Sequence, residues 1–208
     1  KRGKIDFEIC YNLAISFINT GDLEAGKENL KKCISLEPEN PVARRDLGIL
    51  YLKMNYMEWA LDELKTAIKL EPENPENYFN YAVALNNSQN FTKADEYFKK
   101  AVDLNNDNAD YYLYRGENLL ATGKNDEAEE NLKTALRLSP DNCRIKFALA
   151  KIYFEKKKYS ISKDLLIDVA GNDNSPETLN LLAKSYAKLK DFKSAAGIFN
   201  KLAKTYPN

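Results

Sequence analysis

The chain has no histidine, and it has only three cysteines, eight glycines and one tryptophan among 208 residues. Without histidine it lacks the commonest general base, metal ligand and triad member. The glycines are scattered and form no loop that could cradle a phosphate. Three thiols cannot all pair, and Cys10 and Cys33 fall at apolar positions of the pattern described below, so they read as buried free thiols rather than a disulfide or metal site. Cys143, at the start of a helix, is the one thiol to test for reactivity. No apolar run approaches the roughly 20 residues that a membrane-spanning helix needs, so membrane insertion is not expected. The net charge is zero and the isoelectric point is near 6.6. A nucleic-acid surface requires a basic patch on a basic domain, so nucleic acid is not the expected partner. These absences point away from an enzyme: no cofactor, metal or catalytic group is expected, and acidic clusters such as Glu127-Ala128-Glu129-Glu130 read as solvated helix faces.

What the chain does have is a phrase that returns. Leu36-Glu37-Pro38-Glu39-Asn40-Pro41 recurs as Leu70-Glu71-Pro72-Glu73-Asn74-Pro75, then as Leu104-Asn105-Asn106-Asp107-Asn108-Ala109, then as Leu138-Ser139-Pro140-Asp141-Asn142-Cys143, each 34 residues after the last. A fixed period of this length marks a solenoid, whose units are too small to bury an apolar face alone and must stack.

Each period holds two helices. In residues 41–53, Leu47, Gly48, Ile49, Tyr51 and Leu52 follow three-and-four spacing, and in residues 57–70 so do Ala60, Leu61, Leu64, Ala67, Ile68 and Leu70. Asn40 before Pro41 and Asn74 before Pro75 are start signals: the amide side chain can cap free N–H groups, and proline has no N–H to leave unpaired in the first turn. Pro38, Pro72 and Pro140 sit just past the second helix, where a ring that cannot continue the helix forces a turn.

Counted within the period, the pattern resembles the tetratricopeptide repeat, which takes large residues at positions 4 and 11, an apolar residue at 7, small residues at 8, 20 and 27, a large apolar one at 24 and proline at 32. The first repeat supplies Cys10, Leu13, Ala14, Phe17, Gly26, Leu30, Cys33 and Pro38, and the third Tyr78, Tyr81, Ala82, Leu85, Ala94, Phe98 and Ala101. The sixth, after a one-residue deletion, supplies Leu179, Leu182, Ala183, Tyr186, Ala195, Phe199, Leu202 and Pro207. Arg44, Arg115, Lys146, Asn106 and Ser162 depart from the pattern without obscuring it. The resemblance implies an all-α, right-handed superhelical solenoid of six helix-turn-helix repeats: a lead-in at 1–6, then repeats at 7–40, 41–74, 75–108, 109–142, 143–175 and 176–208, as one continuous domain. Small residues at 8 and 20, such as Gly48 with Ala60, let the paired helices approach, and the aromatic stripe of Tyr51, Tyr78, Tyr81, Phe98, Tyr112, Tyr153 and Tyr186 is core.

The resemblance also implies a non-catalytic scaffold that takes a peptide segment or partner protein in a concave groove lined by first-helix positions 2, 5, 6, 9 and 12. Position 5 gives Tyr11, Arg45, Phe79, Leu113 and Phe147. Position 6 gives Asn12, Asp46, Asn80, Tyr114 and Ala148, and position 9 gives Ile15, Ile49, Val83, Glu117 and Lys151. Apolar groups here that do not serve the core are candidate anchors for a ligand; the competing reading packs some of them against the next first helix. Asn12 and Asn80 could satisfy the backbone of an extended peptide, since an amide both donates and accepts. A clamp for the acidic tail of heat-shock chaperones is not expected, because Arg45, Ile49, Asn80, Asp110 and Tyr114 supply two of its five residues and Asp110 has the wrong sign.

Charge is unevenly spread. Residues 7–142 carry 15 basic and 24 acidic side chains, and residues 143–208 carry 13 and 6, so the later repeats are the basic part. Arg144, Lys151, Lys184 and Lys188 fall at positions 2, 9, 9 and 13 of the last two repeats and could form a basic end to the groove that receives acidic side chains, whereas Lys156-Lys157-Lys158 reads as a solvated turn. Trp59 occupies a usually polar position beside Tyr56 and Met57, so it either packs under a turn or makes a second binding surface. Asn86 and Asn90 begin glycosylation tripeptides that read as chance. The last helix, near 192–205, keeps Phe192, Ile198, Phe199 and Leu202 in the internal pattern, and a solenoid end needs a polar outer face. A longer chain, a neighbouring domain or self-association through that helix is expected to cover it. In that alternative the repeats form a structural or dimerisation module that positions another domain. With no initiator methionine or signal segment in view, the chain reads as a mature or trimmed fragment; the compartment is open, with the cytoplasm favoured.

Overall fold

The computed structural model describes residues 2–206, with side chains from residue 6 onward; Lys1 of the lead-in and Pro207, expected at repeat position 32, lie outside the described residues. Those residues form twelve α-helices and no strand. They group into two compact units, divided between Asn106 and Asp107. The first unit holds α1 (Arg2–Thr20), α2 (Leu23–Leu36), α3 (Pro41–Lys53), α4 (Met57–Leu70), α5 (Pro75–Asn87) and α6 (Phe91–Leu104). The second holds α7 (Ala109–Ala121), α8 (Asn125–Leu138), α9 (Cys143–Glu155), α10 (Tyr159–Asn172), α11 (Pro176–Lys188) and α12 (Phe192–Thr205). Helices pair in sequence order, and in each unit the second helix of a pair also packs on the first helix of the next.

The local chemistry explains the helix starts. Asn40, Asn74, Asn108 and Asn142 each turn a side-chain carbonyl back to accept from N–H groups of the first turn of α3, α5, α7 and α9, and the Ser175 hydroxyl oxygen accepts from Thr178 N–H at the start of α11. Pro41, Pro75 and Pro176 occupy the first turn, where no donor is lost.

The turn inside each helix pair is built the same way six times. Gly21, Asn55, Gln89, Gly123, Lys157 and Lys190 all have φ between 60° and 86°, the left-handed region. The next N–H reaches back five residues to a helix carbonyl, as in Tyr56 to Tyr51 at 2.8 Å and Lys158 to Tyr153 at 2.8 Å. This is a Schellman-type stop, which satisfies carbonyls that the helix end would otherwise leave free.

Where paired helices cross, small residues are needed. A Cβ added at Gly48 would lie 2.5 Å from Leu64 Cγ, and one at Gly116 would lie 2.7 Å from Leu132 Cγ. The constraint at position 8 thus comes mainly from the large residue at position 24 of the facing helix. In the first unit Leu47, Leu50 and Tyr51 pack with Ala14, Leu30 and Ala60. In the second, Leu113, Leu119, Leu132, Ile145, Leu149, Ile152 and Tyr153 form one cluster, and Ala150, Leu166 and Leu182 continue the core toward α11.

Candidate functional site

The two units present separate first-helix faces. On the first unit, Tyr11, Asn12 and Ile15 come from α1, Arg45 and Ile49 from α3, and Phe79, Asn80 and Val83 from α5. Asn12 is exposed and the other seven are half-buried. Ile15, Ile18, Ile49 and Leu50 line a cleft of about 190 Å³, with Asp46 and Lys53 supplying its polar atoms. Ile18 stands at position 12, one of the groove positions, whereas Leu50 and Lys53, at positions 10 and 13, were not expected here.

Polar groups on this face are already engaged. The Tyr11 hydroxyl donates to Asp46 at 2.6 Å, and Arg45 Nε donates to the other Asp46 oxygen at 3.3 Å. Arg45 also pairs with Glu76 at 3.1 Å. Burial, then the hydrogen bond to Asp46 and its charge, push the Tyr11 phenol up to about 12. Asp46 therefore interrupts any row of ligand-seeking groups between Asn12 and Asn80. Phe79 leans on the fully buried Phe98, with ring centroids 5.9 Å apart, so part of that ring serves the core.

On the second unit the sequence reading needs correction at three residues. Leu113 is not on the face: it is 1% exposed and belongs to the cluster around Ile145 and Leu149. Position 5 lies at the border between face and core, so the register alone could not separate Leu113 from the half-buried Phe147. Arg144 and Glu117 are not open receptors either, since Arg144 Nε and Nη2 donate to the two Glu117 oxygens at 2.7 and 2.5 Å. The guanidinium also lies 4.5 Å from the Tyr114 ring centroid. The three side chains form one internal cation–π and bidentate ion-pair unit. Lys151 and Lys184 are exposed and make no ion pair among the described residues, so they are the open cations of this face.

Elsewhere, Lys156 departs from the solvated-turn reading, because it bridges Glu129 and Asp126, each at 2.5 Å. The thiols of Cys10, Cys33 and Cys143 are free. Among the described residues no cluster of three or more potential metal ligands occurs. No helix of the described residues is long and apolar enough to cross a membrane.

Helical hairpins stepped every 34 residues, small at the crossing and carrying a wall of first-helix side chains, define an α-helical repeat protein. The chain belongs to the tetratricopeptide repeat family: models of that repeat match residues 7–40 and 75–108, 119–175, and 179–208. Comparison with curated proteins gives no match. Among solved structures, PilF of Pseudomonas aeruginosa is similar at a TM-score of 0.90 and 19% identity, over 100% of this chain and 95% of that one. PilW, described as a widely conserved type IV pilus biogenesis factor, is similar at 0.86 and 18%, over 97% and 94%. YrrB, described as a repeat protein with an unusual peptide-binding site, is similar at 0.72 and 17%, over 86% and 93%. At these identities the likeness is one of fold. Repeats of this family generally mediate protein–protein interactions.

Proposed function

We propose that the chain is a non-catalytic scaffold whose first-helix faces capture an extended segment of a partner protein. The observation that carries this reading is the cleft between α1 and α3, where Ile15, Ile18, Ile49 and Leu50 leave room of about 190 Å³ for an aliphatic side chain. An apolar recess rimmed by Asp46 and Lys53 favours a peptide with an aliphatic anchor flanked by polar groups. Asn12, Phe79, Asn80 and Val83 would contact the same segment. On the second unit, Phe147, Lys151 and Lys184 suit a segment with carboxylates. The similarity to YrrB, described as having an unusual peptide-binding site, supports the class of ligand.

Random peptide display on the immobilised protein tests this. Enriched sequences should share an aliphatic anchor and be lost in the Ile15→Ser, Ile49→Ser double variant while its helicity is kept. Enrichment that survives those substitutions sinks the assignment.

A second reading is favoured by α12, where Phe192, Phe199 and Tyr206 are 67%, 41% and 47% exposed. Phe199, Leu202, Ala203 and Tyr206 join Pro176, Glu177 and Asn180 of the α11 side in an open cleft of about 530 Å³. In this reading α12 dimerises the chain or docks it on another domain. Sedimentation that remains monomeric at high protein concentration, and is unaltered by Phe199→Glu, would count against the dimer.

A further inference from the structure

The outer helices of the first unit carry an aromatic corner that the repeat does not require. Trp59 on α4 is 55% exposed, yet it is held: Tyr51 packs edge-on at 5.4 Å and 64°, and Tyr56 lies tilted at 5.3 Å. The equivalent position in the other repeats holds Ala25, Lys93, Glu127, Ile161 and Ser194, so stacking of the repeats does not depend on a large ring here.

Its neighbour in space is Tyr56, the N-cap residue of α4, which makes no side-chain cap bond, as Asn90, Lys124 and Lys158 make none at the equivalent place. What sets this repeat apart is the second ring: Tyr56 stands against the indole at a position that the other repeats fill with Asp22, Asn90, Lys124, Lys158 and Asp191. Two large rings in contact, at positions where the repeat needs neither, mark a surface that packing alone does not explain.

The surroundings indicate the ligand. Helical spacing puts Asp62 on the same face as Trp59, and shallow clefts of about 260 and 230 Å³ flank the indole, one reaching Glu58 and the other Asp62 and Glu63. Glu63 is taken by Arg44 at 2.9 Å. Lys31 also lines the second cleft but stands 3.8 Å from Glu28, and Glu58 and Asp62 make no ion pair among the described residues. A partly fixed π face beside two uncompensated carboxylates attracts a cation and repels an anion.

We propose that this corner docks a cationic side chain of a partner protein, with arginine preferred over lysine. A guanidinium can lie flat on the indole while its N–H groups reach Asp62 or Glu58, which a compact ammonium cannot do as well. The site is on α4 and is independent of the cleft between α1 and α3.

Trp59 is the chain's one tryptophan, so its emission reports the site directly. The probes are acetylated, amidated tetrapeptides of arginine, lysine and glutamate. Arginine should change the emission saturably and more tightly than lysine, and glutamate should leave it unaltered. Glu58→Gln with Asp62→Asn should weaken arginine binding by roughly three- to tenfold. Glu39→Gln with Glu73→Gln, which removes as much negative charge elsewhere on the unit, should leave it within about twofold. Calorimetry on Trp59→Ala should show the same loss as the double variant. No saturable change with arginine, or equal weakening in both charge variants, overturns the proposal.

Discussion

The Tyr11 phenol donates a 2.6 Å hydrogen bond to the Asp46 carboxylate and so fastens α1 to α3 beside the apolar cleft. Because burial and Asp46 push the phenol up to about 12, its proton is held more tightly in the folded chain than in the unfolded one. The stability this supplies is complete below the unfolded value near 10 and is lost as pH rises from there toward 12. Tyr11→Phe should cost about 1–2 kcal/mol at neutral pH, and the gap to the parent should close between pH 10 and 12. Urea titrations of both proteins across that range check it.

Glu129 behaves in the opposite sense. Burial raises its carboxyl, but hydrogen bonds from Lys133 and Lys156, each at 2.5 Å, together with their charges outweigh that and hold it down to about 2. A lowered folded value means stability that is present above the unfolded value near 4.5 and is lost as pH falls toward 2. Glu129→Gln should be destabilised by roughly 2 kcal/mol at pH 7, with most of that difference gone at pH 2.5. Denaturant midpoints at the two pH values decide it.

The left-handed turn position offers stabilisation. Lys157, Gln89 and Lys190 hold φ of 60° to 66° with side chains that disfavour it. Each change to glycine should gain about 0.5–1 kcal/mol, and Asn55→Gly less, because asparagine tolerates this conformation. Gly123→Ala should lose about 1 kcal/mol although its Cβ would meet nothing within 4 Å, since the strain lies in the backbone. Thermal melts of the five variants should reproduce that order.

At Gly48 the usual gain from glycine to alanine inside a helix should reverse. The added Cβ would stand 2.5 Å from Leu64 Cγ, so Gly48→Ala should destabilise by about 1–3 kcal/mol. Leu64→Ala alone should cost about 2–5 kcal/mol, and the double variant less than the sum. A double-mutant cycle by urea denaturation measures the coupling.

Leu113 and Lys151 should separate packing from recognition. Leu113→Ala, at 1% exposure, should lower stability by about 2–5 kcal/mol. Lys151→Ala, at an exposed position, should leave stability within about 0.5 kcal/mol and alter only the capture of acidic segments. Melting and peptide binding measured on the same preparations distinguish the two.

The helical pairs were legible because the period is written in residues that act locally. Asn40 and Asn74 cap, Pro41 and Pro75 start, and Gly48 yields space, each within reach of a few neighbours. The face was only partly legible. Position 5 holds both the half-buried Phe147 and the fully buried Leu113, and nothing in their spacing separates them. Arg144 and Glu117 are 27 residues apart, so their mutual neutralisation has no local signature.

The sequence by itself determined a helical repeat: the 34-residue recurrence, the caps and the small residues at helix crossings all follow from interactions along one helix or between adjacent ones. Tertiary structure decided which first-helix groups remain available. It withdrew Leu113 into the core, joined Arg144 to Glu117 and Tyr11 to Asp46, and left the cleft at Ile15 and Ile49 and the ring of Trp59 open. Burial and ion pairing depend on the distance between helices, which a one-dimensional pattern does not carry.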